Sequence, residues 1–399
     1  MRILHTSDWH VGRTIRGRSR EAEHRGVLVE MLELVEDERV DLVLVAGDQF
    51  DTAAPSAGAE RLVWGALAGF VDRGAKVVLV AGNHDNAARL DALAPLLDRG
   101  GDIIPAAHVR PAERGGTVRV ATRNGDARVA LVPFLSQRGI VKTADLLDSD
   151  RAQHAQAYAE RVALILESLT AGFGDGQAVD LVGAHLTVVG PGRVDSQLGG
   201  GERLSQIFDY VVPPQRLPVT AQYVALGHLH QPHDVPGAAP ARYSGSPLHL
   251  DFGEVASQRG VSIVDIEPGL PPQIRHVPLR SGYQLLTLKG TVEELEAQAG
   301  ELGERVHVRA VVDEPARPGL AEAVRAVLPQ AVDVRLVASE DSGSGEELTQ
   351  AEAVASDPAE LFGEYLAARG IEEKRLGGLF ADLLEEWQEA HRDSAEAVG

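Results

Sequence analysis

The chain contains no cysteine, which removes disulfides and thiolate metal sites and leaves nothing that points to an oxidising compartment. Aromatic residues make up only 4% of it, so its cores must be filled by Val, Leu, Ile and Ala. No apolar run approaches the roughly 20 residues needed to span a bilayer. Met1 leads straight into a strand-like segment with no charged and apolar leader pattern. The expectation is a soluble, cytoplasmic protein without a membrane partner. Positive charge is scarce as well. Asp and Glu outnumber Lys and Arg by 59 to 38, for a net charge of −21. A free-standing nucleic-acid binder is usually basic, so this balance argues against one acting alone and hints at a basic partner. At 399 residues, two or three domains are expected.

What the chain does contain is a set of polar clusters placed at the ends of apolar runs. They are Asp8-Trp9-His10, Gly47-Asp48, Gly82-Asn83-His84-Asp85 and His185, completed by Gly227-His228-Leu229-His230. The runs before them are Met1–His5, Val40–Ala46, Lys76–Ala81, Val179–Val182 and Gln222–Leu226. Stretches such as DLVLVAGD and KVVLVAGNHD lack polar alternation, as strands covered on both faces do. In open α/β sheets, ligands gather outside the carboxyl ends of the strands, where every cluster falls. Imidazole, carboxylate and amide oxygen together suit Mn²⁺, Fe²⁺ or Zn²⁺ better than Ca²⁺. A pair of such ions about 3.5–4 Å apart is chemistry for cutting phosphate esters, and it needs one shared ligand. Asp48, alone in its cluster, is the expected bridge. Asp8, His10 and His230 would close one ion, and Asn83, His185 and His228 the other. Alternation along His228-Leu229-His230 puts both imidazoles on one side. His84, beside a ligand and not needed as one, is the expected general acid, with Ala87–Arg99 offering a helix N-terminus to phosphate. Asp51 and Asp85 can orient imidazoles or merely cap turns. Arg13, Arg16, Arg18, Arg20 and Arg25 read either as a solvated face or as phosphate steering.

Helical periodicity marks Arg20–Glu38, Ala57–Arg73 and Ala87–Arg99. Further strands are expected at Arg128–Phe134, Ala241–Ser244 and Gly260–Ile266. The expected architecture is α/β, a two-sheet sandwich flanked by helices over residues 1–270, with a soft Pro/Gly-rich boundary at Glu267–Gln273. Gly190–Gly201 reads as a flexible loop on the substrate side. A small βαβαβ capping domain follows at 275–339: Tyr283–Lys289, Thr291–Leu302, Val306–Asp313, Pro318–Leu328 and Ala331–Ala338. Thr291 and Glu294 form a capping-box signature for its first helix. Residues 340–356 read as an acidic linker and 357–388 as a C-terminal helical pair opened by Asp357-Pro358. Leu361, Phe362, Tyr365 and Leu366 stripe one helix; Leu376, Leu379, Phe380, Leu383, Leu384 and Trp387 stripe the other. Such a pair either folds back or docks on another protein. Residues 389–399 are polar, and a disordered tail is expected.

The phrases MRILHTSDWHVGR, VLVAGDQFDTAAPS, VLVAGNHDNAARL, ALGHLHQP and YSGSPL resemble the calcineurin-like metallophosphoesterase superfamily, and within it the SbcD family of bacterial nucleases. That resemblance implies metal ligands at Asp8, His10, Asp48, Asn83, His185, His228 and His230, a catalytic His84, and Mn²⁺ as cofactor. It implies exonuclease cutting of duplex DNA from 3′ ends, and endonuclease cutting of single strands and hairpins, in repair, recombination and replication. A coiled-coil ATPase of the SbcC type is the implied partner, gripped by the terminal helices. A homodimer through the helices at Ala57–Arg73 and Ala87–Arg99, within a heterotetramer, is implied too. Asp51 departs from the pattern, since archaeal and eukaryotic relatives tend to carry a His there. The residues alone also admit a phosphodiesterase or phosphatase for nucleotides or small esters, and a non-catalytic scaffold.

Overall fold

A computed structural model describes residues 1–98, 100–135, 151–189, 211–300 and 302–337, the side chains of 151–157 excepted. Its centre is set by the branched aliphatic runs noted above. Arg2–Thr6, Leu42–Ala46, Lys76–Val80 and Ile103–Ala106 pair in parallel, and Gly260–Asp265 and Gln273–Pro278 add antiparallel strands beyond Arg2–Thr6. A second six-stranded sheet runs His233–Val235, Ala241–Tyr243, Tyr223–Gly227, Val179–His185, Gly125–Val132 and Thr117–Thr122.

Successive side chains of a strand point to opposite faces, and each run supplies two cores. Ile3, Leu42, Leu44, Val78 and Val80 face the second sheet, meeting Val129, Leu131, Leu181, Tyr223 and Ala225. Their neighbours Leu4, Val43, Val45, Val77 and Leu79 face outward against Val27, Met31, Val63, Leu67 and Phe70. Those come from the helices Glu21–Asp37 and Ala57–Asp72. Val182, Ala184, Val224 and Leu226 make the outer face of the second sheet, covered by Tyr158, Val162 and Leu166 of the helix Arg151–Leu169. Buried apolar surface is worth roughly 25 cal/mol per Å², so burying both faces of each run drives the sandwich.

A third sheet of three parallel strands, Gln284–Gly290, Val306–Val312 and Ala331–Leu336, carries the helices Val292–Ala299 and Leu320–Val327. Thr291 and Glu294 form the reciprocal capping box that the sequence signals. This layer belongs to one compact unit with the sandwich, Met1–Val337. At the junction the buried Glu23 carboxylate accepts from both Arg20 Nε and Arg20 Nη2, from Tyr283 N at 3.0 Å and from His307 Nε2 at 2.8 Å. Burial raises its pKa, but Arg20 and His307 outweigh burial and hold the carboxyl well below its ordinary value.

The strands and helices expected from the sequence agree with elements of the structure to within a few residues, but several elements were not expected. Gln273–Pro278 is the outermost strand of the first sheet, so the chain leaves the sandwich after residue 278 and not at Glu267–Gln273. Its alternate residues are only partly covered, which hid it among Pro and Gly. The edge strands Thr117–Thr122, Ile103–Ala106 and His233–Val235 and the helix Arg151–Leu169 go unread as well. The linker, helical pair and tail expected over 340–399, and Gly190–Gly201, lie outside the described residues.

Candidate metal centre

The parallel strands of both sheets end on one side, and their last residues hand the chain to tight loops. Asp8, His10 and Asp48 have φ of 53°, 45° and 53°, and His228 has 101°, all in the left-handed region. Such values are uncommon outside glycine and gather where a site over-determines the backbone. Hydrogen bonds from Asp8 N to Gly47 O and from His10 N to Asp48 O, each 3.0 Å, lock the first two loops together. Gly227 allows the two sheets to touch: a Cβ there would lie 1.9 Å from the Ala46 carbonyl oxygen.

Three donor groups result, their ligand atoms within 4.8 Å of one another: Asp8, His10 and His230; His10, Asp48 and His84; Asp48, His185 and His228. Asp48 Oδ2 is 3.6 Å from His10 Nε2 and 3.4 Å from His185 Nε2. Asn83 Oδ1 is 2.9 Å from His185 Nε2 and 3.0 Å from His228 Nδ1. All seven residues expected as ligands, and His84, are therefore brought to one place.

These residues fit divalent cations better than they fit each other. His185 Nδ1 lies 2.8 Å from the Ala46 carbonyl and must donate to it. In a neutral imidazole, Nε2 is then a lone pair, yet it faces the oxygens of Asn83 and Asp48. Among its neighbours, His228 Nδ1 at 3.2 Å can offer a proton, and a cation bound there would satisfy the nitrogen and both oxygens together. Burial disfavours a charged His185, but Asp48 and Asp8 outweigh it and push the imidazole up to about 9. Asp48 is pushed up by burial and down more strongly by His185, His10 and His84, so it stays well below the carboxylate range. Neither ring nitrogen of the buried His10 makes a hydrogen bond among the described residues, and burial lowers its pKa. Imidazole lone pairs beside persistent carboxylates are a cation's donor set.

The family model described as calcineurin-like phosphoesterase matches residues 1–232. The SbcD protein of the SbcCD nuclease from Bacillus subtilis (strain 168) is 36% identical over 72% of this chain and 72% of its own. Its counterpart from Rhodobacter capsulatus is 38% identical, over 72% and 71%, and that from Escherichia coli (strain K12) 31%, over 75% and 73%. The chain belongs to the calcineurin-like phosphoesterases, within the SbcD family. It is a metal-dependent phosphodiesterase by that membership.

Around this phosphoesterase centre, the two acidic neighbours singled out in the sequence have different tasks. Asp51 Oδ1 sits 3.4 Å from His10 Nδ1 and accepts from Arg13 Nη1 at 3.0 Å, while its backbone carbonyl accepts from His84 Nδ1 at 2.8 Å. Asp85 touches backbone instead, accepting from Gly82 N at 2.8 Å, Phe50 N at 3.0 Å and Gln49 N at 3.3 Å. Burial and the Asp48 charge push Asp85 up to about 6.

Sequence reasoning missed Glu254, whose Oε1 is 2.8 Å from His230 Nδ1. It also missed Ser7 and Ser244: Ser7 Oγ hydrogen-bonds the Asp8 carboxylate and lies 2.9 Å from Ser244 Oγ. Ser244 lies in the YSGSPL phrase; Glu254 had no signal of spacing at all. The arginine cluster divides. Arg20 is buried against Glu23, Arg13 pairs with Asp51, and Arg16 pairs with Asp333 and Asp251. Arg18 reaches Pro329 O, and Arg25 pairs with Glu21 one turn away on the exposed face of the helix Glu21–Asp37. Much of it is built into the fold, not a plain solvated face.

Proposed function

We propose that the chain is the Mn²⁺-dependent nuclease component of an SbcCD-type complex in the cytoplasm. It acts as a 3′–5′ double-strand exonuclease and as an endonuclease on single strands and hairpins, serving repair, recombination and replication. The observation that carries the chemistry is Asp48 Oδ2 between His10 and His185, where one carboxylate serves two donor groups. Asp8, His10 and His230 would hold one ion with Asp48; Asn83, His185 and His228 would hold the other. When bound, the pair activates water and neutralises charge on the phosphate oxygens. His84 supplies the proton for the leaving oxygen. Its ring is aimed by the Asp51 carbonyl on Nδ1, and its backbone N–H donates to Asp48 Oδ1 at 2.9 Å.

DNA as substrate is supported by the relatives, all SbcD proteins of SbcCD nucleases. The acidity of the chain then follows if an SbcC-type ATPase supplies much of the DNA surface, with residues 357–388 as its grip. A homodimer within a heterotetramer completes the proposed assembly. An end-labelled duplex bearing a hairpin, incubated with the purified chain and Mn²⁺ beside a small chromogenic phosphodiester, tests the reading. Chelator-sensitive cutting of the DNA is expected. Turnover of the small ester alone, persisting after addition of an SbcC-type ATPase and ATP, would favour a small-ester phosphodiesterase or phosphatase.

A further inference from the structure

We propose that Glu254 is a positioning residue for His230, held in place by the capping layer. The inference rests on reading Asp8, His10 and His230 as ligands of one ion. Glu254 is buried, and its carboxylate accepts two N–H bonds, from His230 Nδ1 at 2.8 Å and from Leu250 N at 2.6 Å. An ionised carboxylate only accepts, so Nδ1 carries the imidazole proton and Nε2 is the lone-pair atom left for a cation. Partners of this kind fix the tautomer and the ring plane of ligating histidines.

The turn that carries Glu254 is closed on itself. Glu254 N donates to Asp251 O at 3.1 Å, and Ser257 returns two hydrogen bonds to the Glu254 carbonyl, from N at 3.0 Å and from Oγ at 2.8 Å. Its outer side is gripped by the third sheet. The Arg309 guanidinium lies 4.4 Å from the centre of the Phe252 ring, and its Nη2 is 3.9 Å from Asp251 Oδ1. Phe252 is buried with Ile15, Leu285 and Val332, and Leu285 and Val332 come from that sheet. A contact made by the capping layer is thus two residues along the chain from a carboxylate that orients a ligand.

Mn²⁺ binding to the full chain, measured by titration calorimetry, tests this. Wild type is expected to take two ions; none at all in wild type would overturn the metal reading and this inference with it, whereas an effect absent only in the variants would overturn this inference alone. Glu254→Gln keeps the volume but offers one acceptor oxygen to two N–H donors. It should weaken one ion about tenfold or more and leave the other unchanged. Wild-type affinity at both sites would overturn the proposal. Arg309→Met, remote from the ligands, should weaken the same ion by a smaller factor. Unchanged affinity there would overturn the role given to the capping layer, and this variant carries the test should Glu254→Gln fail to fold.

Discussion

Two histidines in this site both tie Nδ1 to a backbone carbonyl. His185 has its Nδ1 proton tied to a carbonyl and its Nε2 facing oxygens, a ligand's posture. His84 has Nδ1 tied to the Asp51 carbonyl and stands beside Asn83 without being needed to close either ion. His84→Ala is therefore expected to retain two Mn²⁺ but to cleave DNA about 10²–10⁴-fold more slowly, the usual worth of a positioned proton donor. Single-turnover cleavage with metal content measured on the same sample checks it. Loss of an ion would make His84 a ligand. At this scale the sequence was informative because the clusters occur together: each alone reads as a turn or cap, but four of them at strand ends reinforce one another, and the structure brings their side chains within reach of one another. Glutamates on loops are common, so Glu254 could be found only in three dimensions.

Strand ends are where sequence becomes site. The runs before Ser7, Gly47, Gly82 and Leu186 are β-branched and apolar, and burial of both faces fixes their register. Their C-terminal residues are then delivered to one edge with no further instruction. Glycine permits the close approach: a Cβ at Gly82 would lie 2.0 Å from Asp48 Oδ1 and 2.4 Å from Asp48 N. Gly82→Ala should displace Asp48, destabilise the fold by about 1–3 kcal/mol and lower the bound Mn²⁺ below two. Thermal melting and metal analysis read both effects, and a stable variant holding two ions would refute this role for the glycine. Elements with strong periodicity were legible, among them Glu21–Asp37, Ala57–Asp72 and the βαβαβ unit of the third sheet. The strands Thr117–Thr122 and Gln273–Pro278 were not. Each is an edge strand with only partial cover, so neither carries a continuous apolar run.

Across the molecule, the two sheets are joined by polar as well as apolar contacts. His5, buried in the first sheet, lies 2.8 Å from Tyr223 Oη and 3.1 Å from Leu226 O of the second. The carbonyl requires an N–H from Nε2, so Nδ1 accepts from the tyrosine and the ring is neutral. Burial, opposed only in part by the Leu226 carbonyl, lowers the His5 pKa to about 3, and His24 falls to about 4, also chiefly through burial. In the unfolded chain both would titrate near 6.5. Between those values the unfolded state binds more protons, so stability is full above about pH 6.5 and falls as pH drops toward the folded values. Each histidine should remove about 1.4 kcal/mol per pH unit in that window. Melting temperatures at pH 7 and pH 5 should show the decline, and His5→Gln should shallow it; an unchanged slope would contradict the assignment.

That one carboxylate, Asp48, serves two ions is the proposal on which the chemistry turns. Counting Mn²⁺ bound to Asp48→Ala against wild type tests it most directly. Two ions in wild type and neither held at comparable affinity in the variant is the predicted result. Two ions retained in Asp48→Ala would contradict it.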